Sequence, residues 1–281
     1  MKSILVPLTG FENDGVSLEA AFGVASRFAG HLDCLHVCPD PMQIVMLAAA
    51  TQFTSRMGSV ERIHALQREA EARCIAVEDA FRDFKQRHPA AGVAATLEQI
   101  DGDPVHDTAS AARYRDLTVL ARASADGQFA PDAVANILVA SGRPMLLVPN
   151  TPVAAAGAKI AIAWKESAEA ARAVGAALSF LAAAENVFVL SSAEGNGDAG
   201  AAAASAEKLA AQLRWHAKRV TAFGLPPALH PYPAVLAKAQ ELGADLLVAG
   251  AYTHSRVHEL VFGGFTRELL KACPLPVLLL H

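Results

Sequence analysis

The sequence predicts an α/β fold made of two tandem five-stranded units with parallel sheets, in preference to one ten-stranded sheet. Three observations predict it. Short apolar runs alternate with segments whose apolar residues fall at helical spacing. Most of the runs are apolar throughout, as strands are when helices cover both faces of a sheet. The order of elements in residues 1–150 then returns in residues 158–281, across the small, uncharged linker Asn150-Thr-Pro-Val-Ala-Ala-Ala-Gly157.

In the first half, Ser3-Ile-Leu-Val-Pro7 is the opening strand and a helix follows over 17–29. Leu32-Asp-Cys-Leu-His-Val-Cys38 is the second strand. Residues 41–58 are Met- and Ala-rich and form an insertion suited to a short helix, a contact surface or a lid. A long amphipathic helix over 60–87 is stopped by Pro89. Thr96-Leu-Glu-Gln-Ile100 is a strand, and 104–113 a helix with proline in its first turn. Leu117-Thr-Val-Leu-Ala121, a helix over 132–140 and Met145-Leu-Leu-Val-Pro149 complete this half.

The second half opens with Lys159-Ile-Ala-Ile-Ala-Trp164 and a helix over 168–182, followed by the strand Asn186-Val-Phe-Val-Leu190. An Ala-rich helix is expected over 201–223. The third strand is weak, with Ala228-Leu-His-Pro-Tyr232 its best stretch. A helix over 233–242, the strand Asp245-Leu-Leu-Val-Ala249 and the strand Pro276-Val-Leu-Leu-Leu280 close the repeat.

Composition narrows the function classes. Across 281 residues, 53% are hydrophobic and 19% charged, which describes a well-buried globular chain. A net charge of −4 argues against a broad nucleic-acid surface, so no nucleic-acid partner is expected. No apolar run reaches the roughly 18 residues that span a bilayer, and Met1 to Pro7 reads as a strand and not as an export signal. The expectation is a cytoplasmic protein without a membrane partner. Cys34, Cys38, Cys74 and Cys273 make no disulfide framework. Cys34, His36 and Cys38 share one strand face, but no second ligand pair follows at zinc-finger spacing. They read as small buried residues around a strand histidine, with no metal expected.

The sharpest signal is Asp245-Leu-Leu-Val-Ala-Gly250, a polar loop, and then Gly263-Gly264-Phe265-Thr266 opening a helix. Glycines let backbone approach an anion, and free N–H groups at a helix start point toward it. In parallel α/β sheets such ligands sit at the carboxyl ends of strands, where strand order reverses. The Walker phosphate loop, the dinucleotide glycine fingerprint and the glycine-x-serine-x-glycine elbow are absent. His254 and His258 lack the glutamate of the metalloprotease pattern, and Glu259 beside His258 has no substrate pocket visible in the sequence. Arg62, Arg68 and Arg73 alternate with glutamates as a solvated helix face does. Arg214, Lys218 and Arg219 read as surface, with Trp215 among them partly buried against the sheet.

Ile160-Ala-Ile-Ala-Trp164 with Ser167-Ala-Glu-Ala-Ala-Arg172, Leu35-His-Val37, and Ala244 to Gly250 running on to Pro276-Val-Leu-Leu-Leu280 resemble the universal stress protein family in its tandem form. The resemblance spans nearly the whole chain. It implies Rossmann-like domains, of the adenine nucleotide alpha hydrolase-like kind, at 1–150 and 158–281, packed as a pseudo-dimer through Met145–Val148 and Val277–Leu280. It also leaves room for a homodimer and for a protein partner of unstated identity. Family members that bind ATP carry glycine, two residues, glycine, nine residues, then glycine with serine or threonine, and an aspartate after the first strand.

Here Gly250 takes the first glycine position and Thr253 the second. Gly263 matches the third, Gly264 replaces the hydroxyl residue, and Thr266 keeps a hydroxyl two positions on. Lys165 stands in place of the aspartate. The implied nucleotide site is therefore Gly250, Thr253, Gly263, Gly264, Phe265 and Thr266 around phosphates, with charge from Lys165, His254 and Arg256. Ala163 and Lys165 lie on the base or ribose side.

The first half has Thr9 at the carboxylate position and Arg122-Ala-Ser-Ala-Asp126-Gly127 where the glycine loop belongs, with Asp126 and Asp132 placed to repel a phosphate. It is expected to bind no nucleotide. The functional expectation is a stress-response binding protein holding ATP, with magnesium, in the second half. It is not expected to be an enzyme beyond slow ATP hydrolysis. The alternative is a nucleotide-free scaffold acting through protein contacts.

Overall fold

A computed structural model describes residues 1–39, 56–89, 92–122, 129–151, 156–195, 197–251 and 264–281. The insertion at 41–58 therefore lies almost entirely outside the described residues.

In the first half, β1 (Ser3–Leu8), α1 (Asp14–Phe28), β2 (His31–Pro39), α2 (Arg56–Arg87) and β3 (Ala95–Gly102) are followed by α3 (Pro104–Ala112), β4 (Leu117–Ala121), α4 (Pro131–Ser141) and β5 (Met145–Val148). In the second, β6 (Lys159–Ala163), α5 (Ala168–Ala183), β7 (Asn186–Glu194), α6 (Ala199–Leu213) and β8 (Val220–Ala228) are followed by α7 (Tyr232–Glu241), β9 (Leu246–Gly250), α8 (Gly264–Ala272) and β10 (Val277–Leu280).

The strands lie in the order β3-β2-β1-β4-β5-β10-β9-β6-β7-β8. Each half is thus the same parallel five-stranded arrangement. The expectation of separate sheets needs one correction: β5 and β10 pair antiparallel, Leu278 opposite Leu146, and fuse the halves into a ten-stranded sheet. The physical reason is that each half ends on an apolar strand whose outer N–H and C=O groups need partners. Pairing the two edges satisfies both sets at once.

Residues from both halves pack together on each face of this sheet. On one, Leu146 and Val148 join Ile160, Phe180 and Leu278. On the other, Met145 and Leu147 join Leu247, Val277 and Leu279. Phe28 meets Phe180 edge to face at 5.0 Å across the boundary. Arg27 donates to the carbonyls of Ala156, Gly157 and Ala183.

The repeat extends to its hydrogen bonds. Asp116 accepts from the backbone N–H groups of Lys2 and Ser3, and Asp245 accepts from those of Gly157, Ala158 and Lys159. In both halves an aspartate at the start of the fourth strand ties down the start of the first.

Two expectations in the second half fail together. The Ala-rich helix ends at Leu213, ten residues earlier than its composition suggests, and the third strand is Val220–Ala228 rather than 228–232. Gly224, Pro226 and Pro227 disguise that strand. They are tolerated because β8 is an edge strand, where a missing donor faces outward. Gly224 also lets α6 lie close, since a Cβ there would sit 2.7 Å from that of Ala203. With the helix ended, Trp215 falls in the connecting turn and is 84% exposed, not packed on the sheet.

Candidate functional site

A cavity of about 610 Å³, counting its open mouth, lies at the carboxyl ends of β6 and β9. That is the point where strand order reverses in the second half. Ala163, Trp164 and Lys165 form the wall after β6. Gly250 and Ala251 form the wall after β9, and Phe265 and Thr266 bring the first turn of α8 to the cavity. Ser167, Glu169 and Ala170 at the start of α5, Leu190 and Ser192 of β7, and Pro231 and Val235 at the start of α7 complete it.

Each wall has a local cause. Ser167 caps α5 by accepting from the Ala170 N–H. Gly250 allows that helix start to approach, because a Cβ would lie 2.5 Å from the Ala170 nitrogen and 2.9 Å from its Cα. The glycine is thus required by helix packing as much as by any ligand. Trp164 donates from Nε1 to the Ser205 hydroxyl at 2.9 Å, and Ser205 donates to Glu166 at 2.8 Å, so the indole is fixed from behind. Phe265 stands edge to face with Tyr232 at 5.8 Å.

Charge in the cavity is mixed. The first turn of α8 contains no acidic side chain, so its positive dipole end is not offset by one. Lys165 adds a cation. Opposite in sign is Glu169, whose carboxyl is held below the usual range first by its own backbone N–H, then by the Ser167 hydroxyl and Arg172, against the effect of burial.

Of the residues named from the sequence, Ala163, Lys165, Gly250, Phe265 and Thr266 come together around this cavity. Gly264 opens α8 but does not line it; the nearest atom to a Cβ there would be His230 Nδ1 at 3.8 Å. Thr253, His254, Arg256 and Gly263 lie outside the described residues. Sequence reasoning missed the walls from β7 and α7. It had assigned Pro231 to a strand, and the usable signal was that the end of the neighbouring strand β7 must border the same crevice.

The corresponding region of the first half is built differently. The backbone N–H groups of Thr9 and Gly10 and the Thr9 hydroxyl all donate to the Asp14 carboxylate, so donors after β1 are already satisfied. Burial pushes the Asp14 carboxyl up, opposed by those same bonds. Arg73 of α2 stacks over Phe11 at 4.5 Å and lies against Gly10. Asp132 sits in the first turn of α4, the counterpart of α8, and compensates its dipole.

Arg122, which follows β4, is 7% exposed and reaches into the second half. It donates to the carbonyls of Leu269, Cys273 and Leu275 at the C-terminal end of α8. Burial depresses its pKa. One half therefore anchors the helix whose other end lines the cavity of the other half.

Fold and site together define a doubly wound α/β protein of two fused repeats, with an open cavity at the switch point of the second. Residues 158–281 match the model of the universal stress protein family. No curated protein sequence matches the chain. Among solved structures, a universal stress protein from Archaeoglobus fulgidus DSM 4304 is 18% identical, aligns over 99% of this chain and 97% of its own, and has a TM-score of 0.69. A putative universal stress protein from Pseudomonas aeruginosa UCBPP-PA14 is 16% identical, over 100% of this chain and 93% of its own, with a TM-score of 0.62. At these identities the likeness establishes the fold of the whole chain. No helix of the described residues is long and apolar enough to cross a membrane.

Proposed function

We propose that the second half is a nucleotide-binding domain, with an adenine nucleotide as its ligand, and that the chain acts by binding rather than by turnover. The observation that carries this reading is the cavity at the ends of β6 and β9, bordered by an α8 first turn without acidic residues. It lies at the switch point of the sheet, where ligands of such folds bind. Helix N–H groups and Lys165 favour phosphates there, while Trp164 and Phe265 offer apolar surface to a base. Glu169 opposes a bare triphosphate, so the magnesium complex is the favoured form. Its carboxylate is already held by Ser167, Arg172 and its own N–H, which speaks against a general base.

The test is thermal unfolding with and without ATP and Mg²⁺. Nucleotide at a hundred times its Kd adds about 2.7 kcal/mol of stability, a rise in Tm of several degrees. Ala163→Phe, which fills the cavity from the end of β6, abolishes the rise. No shift of the natural chain at millimolar nucleotide refutes the proposal. It would favour instead the scaffold reading, for which the exposed Trp215 is the specific support.

A further inference from the structure

The first half holds a group of side chains that nucleotide binding does not use. His36, on β2, is 1% exposed. Its Nδ1 lies 2.8 Å from the carbonyl oxygen of Leu8. A carbonyl only accepts, so Nδ1 carries the proton and Nε2 keeps its lone pair. That Nε2 is buried and has no hydrogen-bond partner among the described residues.

Two residues further along the same strand face, Cys38 meets Cys74 of α2 with the sulfurs 2.6 Å apart. A ring nitrogen of His36 and the two sulfurs all lie within 4.8 Å of one another. Both cysteines are half-buried free thiols, so the group is accessible from the surface. Cys34, which the strand pattern places on the same face, belongs to the hydrophobic core instead.

We propose that His36, Cys38 and Cys74 form a binding site for a thiophilic cation, zinc(II) being the probe. One imidazole nitrogen and two sulfurs are the donors that zinc prefers, whereas magnesium and calcium require oxygen. A metal-binding histidine usually donates its other ring N–H to a carboxylate or a backbone carbonyl, which fixes the ring. The Leu8 carbonyl does that here. Occupancy of Nε2 by a cation would resolve the lone pair, which no other described residue does.

With Zn–S bonds of about 2.3 Å and tetrahedral angles, the two sulfurs sit roughly 3.8 Å apart. Side-chain rotation of the half-buried cysteines supplies the opening from their present contact. Gln99 holds the backbone carbonyl of Cys74 at 3.2 Å and so keeps α2 in place. Binding converts two thiols to thiolates and releases two protons to solvent, leaving the fourth coordination position for water. The competing fate of the pair is a disulfide, in which a peroxide would take two electrons and leave as water.

The experiment uses the full chain, reduced, stripped with a chelator and titrated with zinc against a chromophoric competitor, and separately with cobalt(II). The expected result is one equivalent of zinc per chain. Cobalt should give the intense near-ultraviolet thiolate charge-transfer band and visible bands of a tetrahedral site. Cys74→Ser should abolish the cobalt charge-transfer band or halve it. His36→Gln should weaken zinc at least tenfold, and Cys273→Ser, remote from the site, should change neither. Circular dichroism of each variant separates lost binding from lost fold. Sub-stoichiometric zinc, or zinc binding that survives both site variants, overturns the proposal. So does a Cys38–Cys74 peptide lighter by two hydrogens that persists after treatment with a phosphine reductant.

Discussion

Two glycines of the cavity region should behave in opposite ways when given a methyl group. In Gly250→Ala the new Cβ would lie 2.5 Å from the Ala170 nitrogen, 2.6 Å from the Glu169 carbonyl carbon and 2.9 Å from the Ala170 Cα. All three are backbone atoms in the first turn of α5, so no side-chain rotation relieves them. Either α5 or the end of β9 must move. Overpacking of this kind costs about 1–3 kcal/mol, and three backbone atoms within 2.9 Å place the expected loss toward the upper limit, near 3 kcal/mol. In Gly264→Ala the nearest atom is His230 Nδ1 at 3.8 Å, an ordinary contact, and the residue already has helical geometry. Alanine there should be neutral or stabilise by about 0.5 kcal/mol, through the smaller freedom of the unfolded chain. Urea unfolding followed by tryptophan fluorescence measures both. Trp164 stands in the same cavity wall, so the Gly250→Ala protein should also show a changed native emission. A Gly250→Ala chain as stable as its parent, or a Gly264→Ala chain as damaged as Gly250→Ala, would refute the assignment of Gly250 to helix packing.

Arg122→Met removes a buried guanidinium from three carbonyls at the end of α8 and should cost about 3 kcal/mol. Because α8 starts at the cavity, nucleotide stabilisation should fall with it, and calorimetric titration beside the unfolding curve tests the coupling. Asp116 carries its carboxyl below the usual range, first through the Lys2 N–H, and its side chain is partly exposed. A carboxylate depressed on folding contributes stability above its unfolded pKa of about 3.9 and loses it as pH falls through the lower folded value. Asp116→Asn should therefore reduce stability at pH 7 and converge with the parent as pH falls through the lowered folded pKa, as unfolding curves from neutral to acid pH will show.

The central strands were legible because burial on both faces leaves little room for polar residues. β1, β4, β5, β6, β9 and β10 all stand where their apolar runs lie, and the pairing of Met145–Val148 with Val277–Leu280 followed from the family pattern. Edge strand β8 was not legible, since its glycine and prolines satisfy the constraints of an edge and of α6 rather than of a strand. The position of the cavity was readable from Gly250 and Lys165, whereas Ser192 and Val235 entered it through contacts made in three dimensions. Arg122 looked like the start of a degenerate loop, because its partners are carbonyls far along the chain that no local pattern reports. The thiol–imidazole group was half visible: strand alternation aligns His36 with Cys38, but Cys74 arrives on a helix, and only packing selects it over Cys34.

The antiparallel ladder between β5 and β10 has a consequence for how such a molecule can vary. In a dimer of identical chains, any change at one crevice is repeated at the other, so both must tolerate it. Here the two partners are held together by a covalent connection, which keeps each at high local concentration for the other whatever happens at its crevice. One half is then free to commit the donors after β1 to its own Asp14 carboxylate, while the other keeps an open cavity. Fusion has turned symmetry from a requirement into a starting point, and Arg122 shows the result: a residue of one half whose guanidinium bonds the other.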